Sequence, residues 1–385
     1  MLAVSGLTKE VRDSMADEMS SDPPALLLAR WGKDARLTPY GGGNFGTPPD
    51  LLDRHPDREP RGGPGTAHGD PLIVPTDRFF VRSNGPVPAI DPLVWRLHLG
   101  GLVERALTLS LADIQTMPQR RLTAFLECAG NGRTRYDPRP PGTPWRNDAV
   151  GNAVWEGVPL GHLLDLAGVG DQVVDIVAQG GDMPGMRRGL PLAVARDLNT
   201  LVVLRMNGEE LATAHGGPVR LLVPGWAGIA STKWLIGLEV LDHAFAGFWN
   251  ADNYVFWTAA GEPIAPVREM PVKSLILHPE DGARLAAGPH VVRGVAWSGH
   301  GAIAKVAVST DGGASWAEAS LSPGAGRRAW SGFVLSWRAE PGTTRILARA
   351  FDERGLTQPA KATWNAKGYL MNEIQVVEVE VVTRQ

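Results

Sequence analysis

The chain has 385 residues, enough for two or three domains. Hydrophobic residues make up 43% and charged residues 21%, the balance of an ordinary globular protein, and a formal charge of -3 gives no reason to expect a nucleic acid or an anionic membrane as partner. A single cysteine, Cys128, excludes a disulfide within these residues and any zinc site built on several thiolates.

With 46 glycines and 31 prolines, the chain has room for few long helices, and short strands with shaped loops are expected instead. No run of 18 apolar residues predicts a membrane span. The first 24 residues scatter Lys9, Glu10, Arg12, Asp13, Asp17 and Glu18. They lack the apolar stretch of a secretory signal and show no twin-arginine pair. The expected compartment is cytoplasmic for the sequence as given, or periplasmic if a leader has been removed.

Residues 1–75 are weakly patterned and rich in turns, with one short helix at 25–31, and are expected to wrap the next domain as an arm. A mixed domain follows over 76–266. Residues 95–100 alternate like a strand. Residues 109–117 read as a helix with Ser110 as N-cap and Asp113 in its first turn. Residues 122–126 form an apolar strand, and 160–167 a helix closed by Gly168. Further strands are expected at 173–178, 200–206 and 219–223. They lie too close together for regular βαβ units, which argues against a doubly wound sheet.

From 267 to 385 the pattern is all β, with strands expected at 275–278, 290–297, 304–309, 329–337, 344–351 and 373–382. Turns such as Asp311-Gly312-Gly313 separate them, a spacing that suits an immunoglobulin-like β-sandwich. The expected fold class is therefore α+β: a mixed α/β domain followed by a β-sandwich.

The segment that carries most chemistry is Phe125-Leu126-Glu127-Cys128-Ala129-Gly130-Asn131-Gly132-Arg133. A lone cysteine is often an inert buried hydrophobe. Here it ends a strand and opens a loop of small residues, which lets backbone approach a bulky ligand. Asn131 and Arg133 follow as donors for oxyanions. A soft thiolate also suits a metal that is already paired with sulfur donors.

Cys-Ala-Gly-Asn-x-Arg after an apolar strand resembles the core motif of the sulfite oxidase family, and the resemblance runs from about residue 75 to the C-terminus. It implies a molybdopterin-binding first domain. In that family a pyranopterin presents two dithiolene sulfurs to molybdenum, so Cys128 would be the protein's metal ligand. Phe79-Phe80-Val81-Arg82-Ser83-Asn84 resembles the aromatic-x-Arg segment beside the cofactor and substrate, which places Phe80, Arg82 and Asn84 there, with Arg82 as a substrate-binding group. Trp145 resembles the tryptophan that walls the substrate pocket, and Tyr254 the tyrosine whose hydroxyl reaches the substrate. His215 and Arg220 resemble contacts to the pterin and its phosphate, and Ser231, Thr232 and Lys233 the next phosphate-contacting segment. Asp182 resembles the acid that bonds the pterin ring. Arg133 and Lys367 complete the implied pocket, Lys367 standing where the family can place an arginine. Gly132 and Asn84 replace an arginine and a histidine that relatives often carry, and both lower the positive charge.

The implied reaction is oxidation of sulfite to sulfate, with electrons passed to a separate cytochrome or to oxygen. No haem is expected, since no Cys-x-x-Cys-His segment occurs. The sandwich is expected to serve as the dimerisation domain of a homodimer. The same cofactor could act on another oxyanion or sulfur compound, as in a sulfane dehydrogenase or a nitrate or sulfoxide reductase. A non-enzymatic β-sandwich binding module is the remaining alternative. A nicotinamide dehydrogenase is disfavoured, because Gly299-His300-Gly301 leads into a strand where a helix is required.

Overall fold

The computed structural model describes residues 22–52, 72–258, 261–322 and 326–383. The expectations for residues 1–21 and for the proline- and glycine-rich run at 56–69 lie outside the described residues.

The early helix spans Pro24–Arg30 and begins on a proline, where a missing N–H is no loss. It buries Leu27 and Leu28. These join Leu37, Phe45, Leu51, Val81 and Ala214 in a small apolar cluster. The N-terminal segment thus packs its apolar residues together with residues of the main domain.

Two five-stranded sheets form most of that domain, with a two-stranded ribbon of Val255–Trp257 and Pro263–Pro266 at its end. In one, Arg120–Glu127 pairs with Val150–Pro159, which pairs with Leu201–Met206. Arg220–Leu222 also lies on Leu201–Met206, and all pairs are antiparallel. The second sheet runs Leu107–Ser110, Arg96–Gly101, Leu235–Leu241, Asp175–Gly180, Arg187–Pro191. Only Arg96–Gly101 and Leu235–Leu241 are parallel. Apolar faces carrying Leu97, Leu99, Val158, Ile176, Val202 and Leu238 meet in one core with the helix Leu160–Leu166. The helix Leu111–Gln115 starts on the expected cap: the Ser110 hydroxyl accepts from the Asp113 N–H, and the Asp113 carboxylate accepts from the Ser110 N–H.

Val150–Pro159 lay outside the expected strands, because Gly151, Asn152 and Gly157 break its pattern. The glycines have a packing reason. A Cβ on Gly151 would lie 2.5 Å from the Phe79 ring, and one on Gly157 2.2 Å from the Val202 carbonyl oxygen. Arg188 reads as a solvated charge in sequence, yet it is fully buried and donates to the carbonyls of Trp249 and Val267.

The C-terminal part is a sandwich of a four-stranded and a five-stranded sheet. Val292, Val306, Phe333, Ile346 and Val379 fill the space between them. The Asp311-Gly312-Gly313 turn links Ile303–Ser309 to its antiparallel neighbour Ala317–Glu318, with both glycines at positive φ. The sandwich does not stand apart from the first domain. One continuous apolar cluster runs from Phe125 and Trp155 to Leu275, Trp297 and Trp330.

Candidate functional site

The strand Arg120–Glu127 delivers Cys128 to a pocket wall and holds it there by backbone bonds. The Cys128 N–H donates to Ala149 O at 2.9 Å, and its carbonyl accepts from the Asn131 N–H at 2.9 Å. Gly132 then turns the chain at φ +86°. Side chains alternate across the strand, so Glu127 points the opposite way from Cys128. Its carboxylate, with no exposed surface, accepts from Asn131 Nδ2 at 2.8 Å, Lys273 Nζ at 3.1 Å and Trp297 Nε1 at 2.7 Å. Asn131 Oδ1 accepts from the Ala149 N–H. Asn131 is therefore a brace for the cysteine loop, both ends of its amide occupied, and not the free oxyanion donor that its place in the motif indicates.

Eleven of the residues singled out in the sequence line one pocket: Phe80, Arg82, Asn84, Cys128, Asp182, His215, Arg220, Ser231, Thr232, Lys233 and Tyr254. They come from six separate stretches of chain. The small residues Ala129, Ala214 and Gly228 and the apolar Leu126, Met186 and Ile229 also line the wall, with Phe79, Ser83 and Trp234.

One end of the pocket is a cluster of cations. Arg220 is buried and donates to the carbonyls of His215, at 2.8 Å, and Ser231, at 2.9 Å, with its guanidinium over the Trp155 ring. Half-buried Lys233 donates to Ser83 Oγ at 2.6 Å and Ala214 O at 2.9 Å. The ring of His215 packs edge-on against Phe79. Burial lowers the pKa of His215 and of Lys233 well below their ordinary values, with neighbouring cations adding to the shift, and brings Arg220 down to about 9. Among the described residues no carboxylate forms an ion pair with any of the three. Such a cluster is complete only with an anion between its members.

Two more polar atoms await a partner. The Thr232 hydroxyl and Asp182 Oδ1 are buried without a hydrogen bond. Burial also raises the Asp182 pKa. A hydrogen-bonding ligand with an acidic group at one end fits this set. Among the described residues, no group of three or more His, Cys, Asp or Glu side chains is placed to hold a metal ion. A metal on Cys128 would therefore take its other ligands from that same bound group. The residues fit a molybdopterin in this sense.

Arg82 lines the same pocket, its guanidinium donating to Ser83 O and Asn84 Oδ1. Tyr254 stands on the wall with Cys128. Three sequence-predicted residues lie outside the lining. Arg133 is turned to the carbonyls of Thr143, at 2.6 Å, and Lys367, at 3.0 Å. Lys367 is half-buried. Trp145 is fully buried and packs on Tyr40, ring centroids 4.5 Å apart.

Sequence reasoning missed Lys33, Glu127, Lys273 and Tyr369. Lys33 is 182 positions from His215, yet its Nζ lies 2.9 Å from His215 Nε2. Its flanking Trp-Gly-Lys-Asp reads as a surface turn. For Glu127 the available signal was a charged residue closing an otherwise apolar strand.

Comparison with known proteins agrees with this geometry. The oxidoreductase molybdopterin binding domain matches residues 84–249, and the Mo-co oxidoreductase dimerisation domain residues 265–382. The chain is 35% identical to mitochondrial sulfite oxidase of Mus musculus over 337 residues, 80% of this chain and 62% of that protein. It thus spans less than two thirds of the mouse relative. It is 31% identical to sulfite oxidase of Arabidopsis thaliana over 350 residues, 80% of this chain and 88% of the plant protein. Among solved structures, the sulfane dehydrogenase SoxCD of Paracoccus pantotrophus superposes with a TM-score of 0.76 at 31% identity, covering 82% of each chain. With a molybdopterin-binding domain, a dimerisation domain and this degree of identity over most of its length, the chain belongs to the sulfite oxidase family.

Proposed function

We propose that the chain holds a molybdenum–molybdopterin cofactor and oxidises sulfite to sulfate, passing the electrons to a separate cytochrome or to oxygen. The observation that carries this reading is a single pocket with the chain's one thiol at one place and a cation cluster lacking carboxylate partners at another. In this reading His215, Arg220, Ser231, Thr232 and Lys233 hold the phosphate, and Asp182 accepts from the pterin ring. Phe80 and Asn84 border the cofactor, and Cys128 ligates the metal. When bound, the cofactor supplies the two-electron redox chemistry.

The chain's own residues bind and orient. Arg82 presents a fixed cation to an oxyanion substrate, and the Tyr254 hydroxyl donates to it. The apolar lining residues Leu126, Met186 and Ile229 lower the polarity of the pocket, which strengthens both interactions. Arg133, Trp145 and Lys367 act from behind this wall. The C-terminal domain joins two copies into a homodimer.

A second reading has one specific support. Asn84 lines the pocket and Arg133 is bonded to backbone carbonyls, so the described lining carries fewer cations beside Cys128 than the sequence motif implies. A less charged sulfur compound, or another oxyanion, fits such a wall. Molybdenum content and sulfite-dependent reduction of ferricyanide, measured on one purified sample, separate the readings. Metal near one per chain with rapid turnover supports sulfite. Metal without turnover moves the substrate to the second reading, and a metal-free, pterin-free protein sinks both.

A further inference from the structure

The cation cluster has a fourth member that comes from outside the molybdopterin-binding domain. Lys33 follows the helix Pro24–Arg30, and its backbone N–H is tied to Leu28 O at 2.8 Å. The helix is anchored by Leu27 and Leu28 in the cluster that contains Ala214, the neighbour of His215. Lys33 is buried, and its ammonium nitrogen touches two groups, Thr76 O and His215 Nε2. Among the described residues it forms no ion pair. The nearest carboxylates, Asp34 and Asp77, act on it only at longer range.

His215 Nε2 also lies 3.2 Å from Thr76 O. Two arrangements satisfy this triangle. If Lys33 is neutral, Nε2 can carry the proton and donate to the Lys33 amine; facing an ammonium, the same proton would set donor against donor. If Lys33 is charged, it donates to both Thr76 O and Nε2, and the imidazole proton must sit on Nδ1. Among the described residues Nδ1 has no partner, and His215 lines the pocket.

We propose that Lys33 is a positioning residue of the cofactor's anion cradle, fixing the His215 tautomer so that Nδ1–H is the donor left to the phosphate. This rests on the molybdopterin reading above. It makes the N-terminal segment part of the site. A phosphate monoester brings negative charge into a cluster of Lys33, His215, Arg220 and Lys233, and so favours the charged form of Lys33 that the tautomer requires. Burial by the protein alone pulls the same lysine the other way, lowering its pKa to about 7. Lys33, Lys233 and Arg220 add to the burial of His215 in lowering its pKa.

The test uses the full chain with wild type, Lys33→Met and Lys33→Arg. Pterin retained per chain and its release rate are read by fluorescence after oxidation of the released pterin. The melting temperature of each cofactor-free chain is measured alongside. Loss of a positioning partner predicts release at least about tenfold faster for Lys33→Met, with partial rescue by Lys33→Arg. The cofactor-free Lys33→Met chain should melt no lower than wild type, because the change removes a buried charge without a carboxylate partner. A merely structural lysine predicts the opposite, with melting temperature and retention falling together, and that result overturns the proposal. Wild-type release rates in Lys33→Met overturn it equally. A wild-type protein that carries no pterin at all overturns the cofactor reading itself, and this inference with it.

Discussion

Tyr254 and Tyr369 stack face to face, ring centroids 5.2 Å apart and planes 8° from parallel. Tyr254 lines the pocket, and Tyr369 stands behind it. The Tyr369 hydroxyl donates to Asn253 O at 3.1 Å, which fixes the residue before Tyr254. The Asn365 side chain clamps Tyr369 in turn, accepting from its N–H and donating to its carbonyl, both at 2.9 Å. The Arg133 guanidinium lies 5.6 Å from the centroid of the same ring. The C-terminal segment therefore reaches the pocket through an aromatic prop.

Truncating that prop should loosen Tyr254. Tyr369→Phe keeps the stack and loses one hydrogen bond, worth about 1 kcal/mol of stability. Tyr369→Ala opens a cavity and should cost about 3–5 kcal/mol in urea unfolding. Its KM for the oxidised substrate should rise more than kcat falls, because a binding wall and not the redox centre is disturbed. An alanine variant with wild-type KM would show that Tyr254 needs no support.

Cys128 offers a clean readout because it is the only cysteine in the chain. Cys128→Ser changes one buried atom and should unfold within about 1–2 kcal/mol of wild type. It should retain little molybdenum, since an alcohol is a poor substitute for a soft thiolate. Conversely, a thiol reagent should modify the cofactor-free chain once and the loaded protein far more slowly. Full molybdenum retention by the serine variant would remove Cys128 from the metal site.

The parts of this arrangement that sequence makes legible are those with local signals. The Ser110–Asp113 cap, the apolar strand into Cys128 and the Asp-Gly-Gly hairpin each state their structure within a few residues. The pocket lining was legible through the family motif, since Arg82, Cys128, His215 and Lys233 occur in recognisable order. What was hidden depends on long-range packing. Val150–Pro159 carries glycines because Phe79 and Val202 press against it, and glycine in sequence reads as a break. Arg188 and Lys33 look like surface charges, and only the fold shows which carbonyls and rings bury them. Arg133 sits in the motif, but its direction is set by Thr143 and Lys367, the second of them more than two hundred residues away.

The cation cluster makes a pH prediction. Lys33 has a pKa of about 7 in the folded chain against an ordinary 10.5. Between these values the unfolded chain holds a proton that the folded one has released, so stability rises with pH across that window. His215 is lowered from 6.5, so its contribution falls as pH drops below that value. In the cofactor-free protein, the stability difference between wild type and Lys33→Met should change by up to about 1.4 kcal/mol per pH unit from pH 7 to 10. Wild type should gain as pH rises. Urea midpoints at pH 7, 8 and 9 read this directly, and parallel curves for the two proteins would mean that Lys33 stays charged when the pocket is empty.

The last prediction concerns the back of the cysteine loop. Lys273 belongs to the first strand of the sandwich, Lys273–His278, and Glu127 to the strand that carries Cys128. Their ion pair is closed to water, the two side chains being 2% and 0% exposed. Burial lowers the Lys273 pKa, and Glu127 opposes that shift. Lys273 also donates to Asn131 O at 3.3 Å, so the dimerisation domain grips the cysteine loop at two points. Breaking one side of such a pair leaves an uncompensated buried charge and should cost about 3–5 kcal/mol, for Glu127→Gln and Lys273→Met alike. The double variant Glu127→Leu/Lys273→Met should recover part of that loss, because a buried pair replaced by apolar side chains is often close to neutral, while Asn131 Nδ2 and Trp297 Nε1 lose their acceptor. Recovery of stability need not restore the loop. Asn131 Nδ2 loses its acceptor in the double variant, so the Mo(V) electron paramagnetic resonance signal of the loaded protein should still differ from wild type. A double variant with regained stability and an unchanged signal would mean that the carboxylate holds the two domains together and does not set the position of Cys128.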